Sequence, residues 1–324
     1  MNLGIVGNGN IVNTALDALK NIGEIHVVSI CVREQSKNKG ELLQKKYGIP
    51  YLYTSYENFL CQSDMDFVYI GIINPLHYEY AKRGLLAGKN IILEKPACTK
   101  SSEIEDLVRI TRERRLYLFE AVTFLHSPFF KRIERALPSL APIKLAQCNF
   151  SKQSSRYSNY LKGEVHPVFD KSMYGGTLFD INIYNINFIV SLLGKPQKIQ
   201  YYATHGYNGI DLSGILVMQY KDIVASCVAA KDSDSPGFMQ IQGEKGWIKI
   251  EGSPNNLQNL IIEINGKNKE IISLQTGKNR MIDEFLSFLE ISETHDRETM
   301  FHYLDISMAV AQVIDAACLS ISSL

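Results

Sequence analysis

Lys95 follows three consecutive apolar residues, Ile91, Ile92 and Leu93, and stands between Glu94 and Pro96. An unbroken apolar run reads as a strand buried on both faces, the context of a parallel sheet, because strands with one wet face alternate. Ligands of open α/β sheets bind at the carboxyl ends of the strands, so an amine placed there is delivered to a candidate site. Pro96 removes a backbone donor and drives Lys95 towards extended backbone, so the chain itself restrains the lysine. Alone, a Glu-Lys-Pro triplet reads as readily as a solvated lysine closing a strand. A second constellation adds weight: Asp180 and Tyr184 lie four residues apart and share one face of a helix. Leu178, Ile181, Ile183, Ile186, Ile189 and Val190 make that helix apolar over most of its circumference, hence buried. A buried aspartate needs a cation or hydrogen bonds, which implies an internal polar cluster. The plainer alternative has Asp180 satisfying loop amides and Tyr184 as a core aromatic.

The elements that would position these groups begin at the N-terminus. A strand-like run from Leu3 to Val6 leads into Gly7, Gly9, Asn10 and Ile11, then into Ala15 to Leu19 with helical apolar spacing. A dinucleotide requires that order: Gly7 for a tight turn, Gly9 for approach of backbone to pyrophosphate, and a helix start with unpaired N–H groups. Val12 fills the third small position of the fingerprint and implies a looser helix–strand contact. A second strand, Ile25 to Val32, ends where a carboxylate for the ribose 2′-hydroxyl stands in NAD-binding versions. Here Arg33 and Lys37 offer a planar fork and a point charge suited to a 2′-phosphate, which favours NADP over NAD, although Glu34 intervenes. Asp66 to Ile72 is a further strand, and Asn74 and His77 fall on the same edge as Gly7 and Lys95. Thr99 or Ser101 is expected to cap a helix running to about Arg115.

A chain of 324 residues suggests two domains, and its 34 basic and 34 acidic residues cancel, so no global field favours nucleic acid or an anionic membrane. A small neutral or singly charged substrate fits better. No unbroken apolar run approaches the ~18 residues of a span, and no signal peptide pattern opens the chain, so a cytoplasmic location and no membrane partner are expected. Six scattered cysteines and seven histidines show no ligand spacing, so no metal is expected. Beyond residue 122 the character changes. Segments near residues 143–150, 198–203, 214–219, 224–229, 238–242, 247–251 and 260–264 alternate apolar and polar residues between turn signals. That predicts a mainly antiparallel sheet with one covered face, and a homodimer or tetramer through the other.

Gly7-x-Gly9-x-Ile11, Asn74-x-x-His77, Glu94-Lys95-Pro96, Glu120-Ala121 and Gly175-Gly176-x-Leu178-x-Asp180-x-x-x-Tyr184 together resemble the Gfo/Idh/MocA oxidoreductases over essentially the whole chain. The resemblance implies an α/β protein: a Rossmann doubly wound parallel sheet over residues 1–122 and a C-terminal α+β domain with a large open sheet over 123–324. It also implies NAD(P)-dependent oxidation or reduction of sugars, polyols or related alcohols, with Lys95, Asp180 and Tyr184 carrying the chemistry. Tyr184 stands where many members have histidine, which resembles the branch of glucose-fructose oxidoreductase, dimeric dihydrodiol dehydrogenase and NADP-linked xylose dehydrogenases. Glu94 joins the expected cofactor contacts, and Arg156, Tyr157 and Phe169 the expected substrate contacts. Hydride transfer at a carbinol carbon needs a proton donor–acceptor on the same oxygen. Free tyrosine and lysine titrate near ~10, and a shift of about three units costs roughly 4 kcal/mol, within reach of burial and a neighbouring charge. Either Tyr184 transfers the proton while Lys95 polarises the oxygen, or the roles reverse. A dinucleotide-binding regulator without turnover is the competing reading.

Overall fold

The apolar runs at the N-terminal side pair as expected of buried parallel strands. The strands β1 (Asn2–Val6), β2 (His26–Cys31), β3 (Tyr51–Tyr53), β4 (Phe67–Ile70), β5 (Asn90–Glu94) and β6 (Leu118–Ala121) form one all-parallel sheet in the order β3-β2-β1-β4-β5-β6. These are features of a computed structural model that describes residues 1–254, 256–274 and 277–321. From β1 the chain winds outwards through β2 to β3, then returns to β4 on the other side of β1 and winds outwards again. The reversal between β1 and β4 opens a crevice at their carboxyl ends, which is where such sheets hold ligands. Helix Asn10–Leu19 follows β1 and buries Val12, Ala15, Leu16 and Leu19, one apolar stripe of a 3.6-residue period.

The later strands are β7 (Ile143–Ser151), β8 (Lys198–His205), β9 (Asp211–Gln219), β10 (Val224–Ala230), β11 (Phe238–Gly243), β12 (Gly246–Ser253), β13 (Asn256–Ile264) and β14 (Glu270–Ser273). Their sheet runs β14-β13-β12-β11-β7-β10-β9-β8 and is antiparallel except where β7 and β10 pair in parallel. The alternation is visible in burial: Leu212, Leu216 and Met218 of β9 point inwards, while Ile215 and Gln219 do not. Helix Ile183–Leu193 packs on β7 and β10 and covers the inward face. The stretch Lys171–Leu193 contains an 18-residue window with the mean hydropathy of a membrane span, but 67% of that window is buried inside the protein, as in a core helix.

Packing divides the chain into two units, one of Met1–His126 with Lys278–Met308, the other of Ser127–Gly277 with residues from Ala309 onwards. This differs from a single boundary after residue 122. The chain returns to the first unit because helix Met281–Glu293 packs Phe285 against Tyr69 and Phe288 against Phe119, with ring centroids 5.8 and 4.6 Å apart. The helix after Lys95 also starts differently. It runs Ser101–Arg114 with Lys100 at the N-cap and no side-chain cap bond, so neither Thr99 nor Ser101 caps it. Instead the Thr99 amide and hydroxyl both donate to the Glu103 carboxylate at 3.0 Å, tying the loop to the first turn.

Candidate active site

In the first unit the turn after β1 opens a cleft of about 290 Å³ lined by Gly7, Asn8, Gly9, Ile11, Arg33 and Tyr80, among others. Gly7 has φ +117°, and a Cβ there would lie 2.4 Å from the Gly71 carbonyl oxygen, so only glycine fits. A Cβ on Gly9 would meet nothing within 4 Å, and Gly9 caps the helix without a side-chain bond. The first amides of the helix have no intrahelical acceptor, as at any helix start, and no acidic side chain stands in the first turn. Asn8 Nδ2 is buried and has no hydrogen-bond partner among the described residues. An orphaned donor, open helix amides and a backbone stripped of Cβ atoms fit the pyrophosphate of a dinucleotide. Asn8 was not singled out in the sequence, where it reads only as the residue between two glycines. Val12 does not loosen the helix–strand contact, being 0% exposed; Gly71 makes the room, since a Cβ there would lie 2.9 Å from Val12 Cγ2. Arg33 lines the cleft and is exposed, and Lys37, also exposed, opens helix Lys37–Tyr47.

The end of β5 holds a buried polar knot. Glu94 Oε1 accepts from the Tyr69 hydroxyl at 2.6 Å and Oε2 from the Lys95 amide at 3.2 Å. Burial raises the carboxyl above its ordinary range against the pull of these partners. Glu94 therefore fixes the strand end from inside rather than facing the cleft. His77 is 0% exposed and its ring lies between two backbone carbonyls, Nδ1 2.8 Å from Pro96 O and Nε2 3.1 Å from Ile72 O. Burial holds the imidazole below its usual pKa against the pull of the two carbonyls, and as a neutral ring it has one N–H to donate to one of them. Asn74 begins the turn before it and is half-buried. On the far side of Lys95, Glu120 at the end of β6 accepts from the Ala97 amide at 2.7 Å. Lys95 is half-buried between these fixed points, in the field of His77, Glu94 and Glu120.

In the second unit Asp180 lies on a π-helical turn, Leu178–Asn182, that leads directly into helix Ile183–Leu193. Its Oδ2 pairs with Lys231 Nζ at 2.6 Å, and that lysine side chain is only 3% exposed. Lys231 also donates to the Val168 carbonyl at 2.8 Å and lies 5.0 Å from the Phe169 ring centroid. Asp180 itself is half-buried rather than buried, and its cation is Lys231, just after β10, which the sequence reading missed. Tyr184, 8% exposed, meets the Phe150 ring edge-on at 5.9 Å. The turn is anchored behind Asp180: Thr177 donates to Leu212 O at 2.6 Å, and Asp211 accepts from the Leu178 amide at 2.7 Å and the Tyr201 hydroxyl at 2.8 Å. Of the three expected substrate contacts, Phe169 is a core residue at 0% exposure, stacked 4.8 Å from Tyr160, while Arg156 and Tyr157 are half-buried.

Two family models match the chain, one in each unit. Residues 1–121 match the model of the oxidoreductase family with an NAD-binding Rossmann fold, GFO_IDH_MocA, and residues 143–249 match the GFO/IDH/MocA C-terminal domain. The chain is 28% identical to the uncharacterized oxidoreductase YgjR of Escherichia coli over 90% of its length and 88% of that protein's. It is 24% identical to the scyllo-inositol 2-dehydrogenase (NADP(+)) IolU of Bacillus subtilis, covering 97% and 94% of the two chains. Trans-1,2-dihydrobenzene-1,2-diol dehydrogenase of Xenopus tropicalis is 26% identical, with 85% and 82% covered. Among solved structures, the 3-ketoreductase KijD10 of Actinomadura kijaniata, crystallised with TDP-benzene and NADP, superposes with a TM-score of 0.82 over 99% of this chain and 97% of its own, at 21% identity.

Proposed function

Because this chain belongs to the Gfo/Idh/MocA family of NAD(P)-binding oxidoreductases, we propose that it oxidises or reduces a carbinol of a sugar, polyol or vicinal diol, with NADP preferred over NAD. The observation that carries the reading is the Asp180–Lys231 pair, its lysine buried and its aspartate half-buried, on the turn that leads into the helix of Tyr184. Such a pair is costly to bury, and a core with no polar task would replace it with apolar side chains at no loss of stability. The dinucleotide, when bound, supplies the nicotinamide carbon that takes up or gives back hydride. The Gly7–Ile11 turn and Asn8 hold its pyrophosphate, and Arg33 with Lys37 meet the 2′-phosphate, the planar fork of Arg33 suiting phosphate geometry. Tyr184 passes the carbinol proton within the second unit, and Lys95 is the cationic group that the first unit offers at the end of β5. Asp180, held by Lys231, orients the phenol. The inositol and dihydrodiol dehydrogenases among its relatives both act on ring carbons that carry neighbouring hydroxyls, which supports a polyol or diol substrate.

The test is a screen of polyols, aldoses and diols for turnover with NADP+ and NAD+, followed by single-turnover rates of Lys95→Met and Tyr184→Phe on the substrate found. Each variant is expected to slow hydride transfer by about 10²–10⁴-fold, the usual worth of a positioned acid–base group. Wild-type rates in both single variants would end the assignment, and tight NADPH binding without turnover of any alcohol would favour a regulator.

A further inference from the structure

Arg156, His166, Lys231 and Asp180 form one connected polar chain within the second unit. Nη1 of Arg156 lies against both ring nitrogens of His166, 3.2 Å from Nδ1. His166 Nδ1 also accepts from the Val168 amide at 3.3 Å, and the Val168 carbonyl accepts from Lys231, which pairs with Asp180. Charge is unequal along this chain. Lys231 is matched by Asp180, and burial together with the adjacent Arg156 and Lys231 cations lowers the His166 pKa, so the imidazole is neutral. Arg156 has no ion pair among the described residues. A guanidinium keeps its charge at any working pH and carries five donors, of which one is turned to His166.

The position is built rather than loose. Arg156 and His166 flank the short helix Tyr157–Leu161, whose Tyr160 stacks on Phe169 and Tyr207 with centroids 4.8 and 4.6 Å away. The Asn208 side chain locks that stack, accepting from the Tyr160 hydroxyl and donating to the Phe169 carbonyl, both at 2.8 Å. With Asn159, Glu164 and Val165, the two residues line a cavity of about 310 Å³. Glu164 is exposed and makes no ion pair with Arg156 among the described residues.

We propose that Arg156, aimed by His166, binds an anionic group, a carboxylate or a phosphate, on the substrate whose carbinol is presented to Tyr184. The proposal rests on the dehydrogenase reading above and narrows it to acidic sugars, hydroxy acids or sugar phosphates. The fork of donors on a guanidinium matches the oxygens of both anions, and an anion supplies the charge that Arg156 lacks. A neutral polyol would instead leave the half-buried cation uncompensated and stripped of water.

The experiment compares three probes of one carbon skeleton, D-glucitol, D-gluconate and D-glucitol 6-phosphate, by calorimetric titration of the enzyme saturated with NADP+ and by turnover. At least one anion is expected to bind ten-fold or more tightly than D-glucitol, with its affinity falling as salt rises. Arg156→Gln should erase that preference by about 10- to 100-fold, the effect of losing a hydrogen bond to a charged group, and Arg156→Lys should restore part of it. The tighter of the two anions identifies the source of the charge. Retained NADPH binding in both variants shows that the first unit is intact. Equal binding of all three probes, no binding of either anion, or an undiminished anion preference in Arg156→Gln overturns the proposal. Arginine-dependent anion binding without turnover would overturn the dehydrogenase reading alone, whereas turnover of D-glucitol without anion preference would overturn the anion site alone.

Discussion

Glu284 is 0% exposed, and neither of its carboxyl oxygens has a hydrogen-bond partner among the described residues. Burial first, and the neighbouring Glu94 carboxyl second, push its pKa well above the usual range, against the pull of Arg280. The folded protein therefore keeps a proton on Glu284 at pH values where the unfolded chain, titrating near ~4.3, has lost it. In that window the unfolded state binds fewer protons, so stability falls as pH rises from about 4.3 towards the folded value. Glutamine keeps the shape and drops the titration. Denaturant melts of Glu284→Gln and wild type are expected to agree near pH 4 and to diverge above it, the variant gaining about 1.4 kcal/mol for each pH unit inside that window. A difference that stays constant from pH 4 to pH 8 would show that Glu284 does not titrate in this window. At the same scale, Lys95, Asp180 and Tyr184 stand out in the sequence as candidates by type and spacing, whereas Lys231 does not. It lies 51 residues from Asp180 in the chain and reads as a lysine after a strand.

The turn that carries Asp180 depends on an element it meets only in three dimensions. Gly176, with φ +86°, sits so close to β9 that a Cβ would lie 1.9 Å from Asp211 Oδ1. The same Asp211 carboxylate holds the Leu178 amide and the Tyr201 hydroxyl. Gly176→Ala combines left-handed backbone with a clash against a carboxylate that cannot move without losing both bonds. It should cost about 2–4 kcal/mol of stability in denaturant melts, the sum of backbone strain and overpacking. A loss under 1 kcal/mol would mean the turn can shift, and with it Asp180. The two glycines were visible in the sequence, but their reason was not, because Asp211 is 35 positions away. Alternation and helical period gave the fourteen-strand framework most of its later strands, since each pattern is local. The short strand Tyr51–Tyr53 and helix Tyr56–Leu60 carry too few residues to show a period. Helix Met281–Glu293 does carry one, in Phe285, Phe288 and Leu289, but nothing local in that period says that it packs back on the first sheet.

At the scale of the whole molecule, the open face of the eight-stranded sheet remains to be covered. Tyr202 of β8, Ile215 of β9 and Val228 of β10 are direct cross-strand neighbours. Two of them, Tyr202 and Ile215, are 52% and 45% exposed, so this is a row of apolar side chains in register and not scattered singles. Eight strands about 4.8 Å apart, the longest of nine residues, give a face of roughly 34 by 30 Å, on the order of 1,000 Å². A standard interface takes about 800 Å² from each partner, so the face is large enough for a two-fold contact with a second copy of itself. Sedimentation equilibrium is expected to give at least twice the 36.6 kDa chain mass, and the pair Tyr202→Glu with Ile215→Lys to reduce it to a single chain. Both positions point away from the covered face, so the double variant should keep NADPH binding and its melting midpoint within a few degrees. If the wild-type mass stays at 36.6 kDa across concentration, the face is solvated and its apolar row needs another occupant. Loss of NADPH binding together with loss of mass would instead mean that the first unit depends on assembly for its own stability.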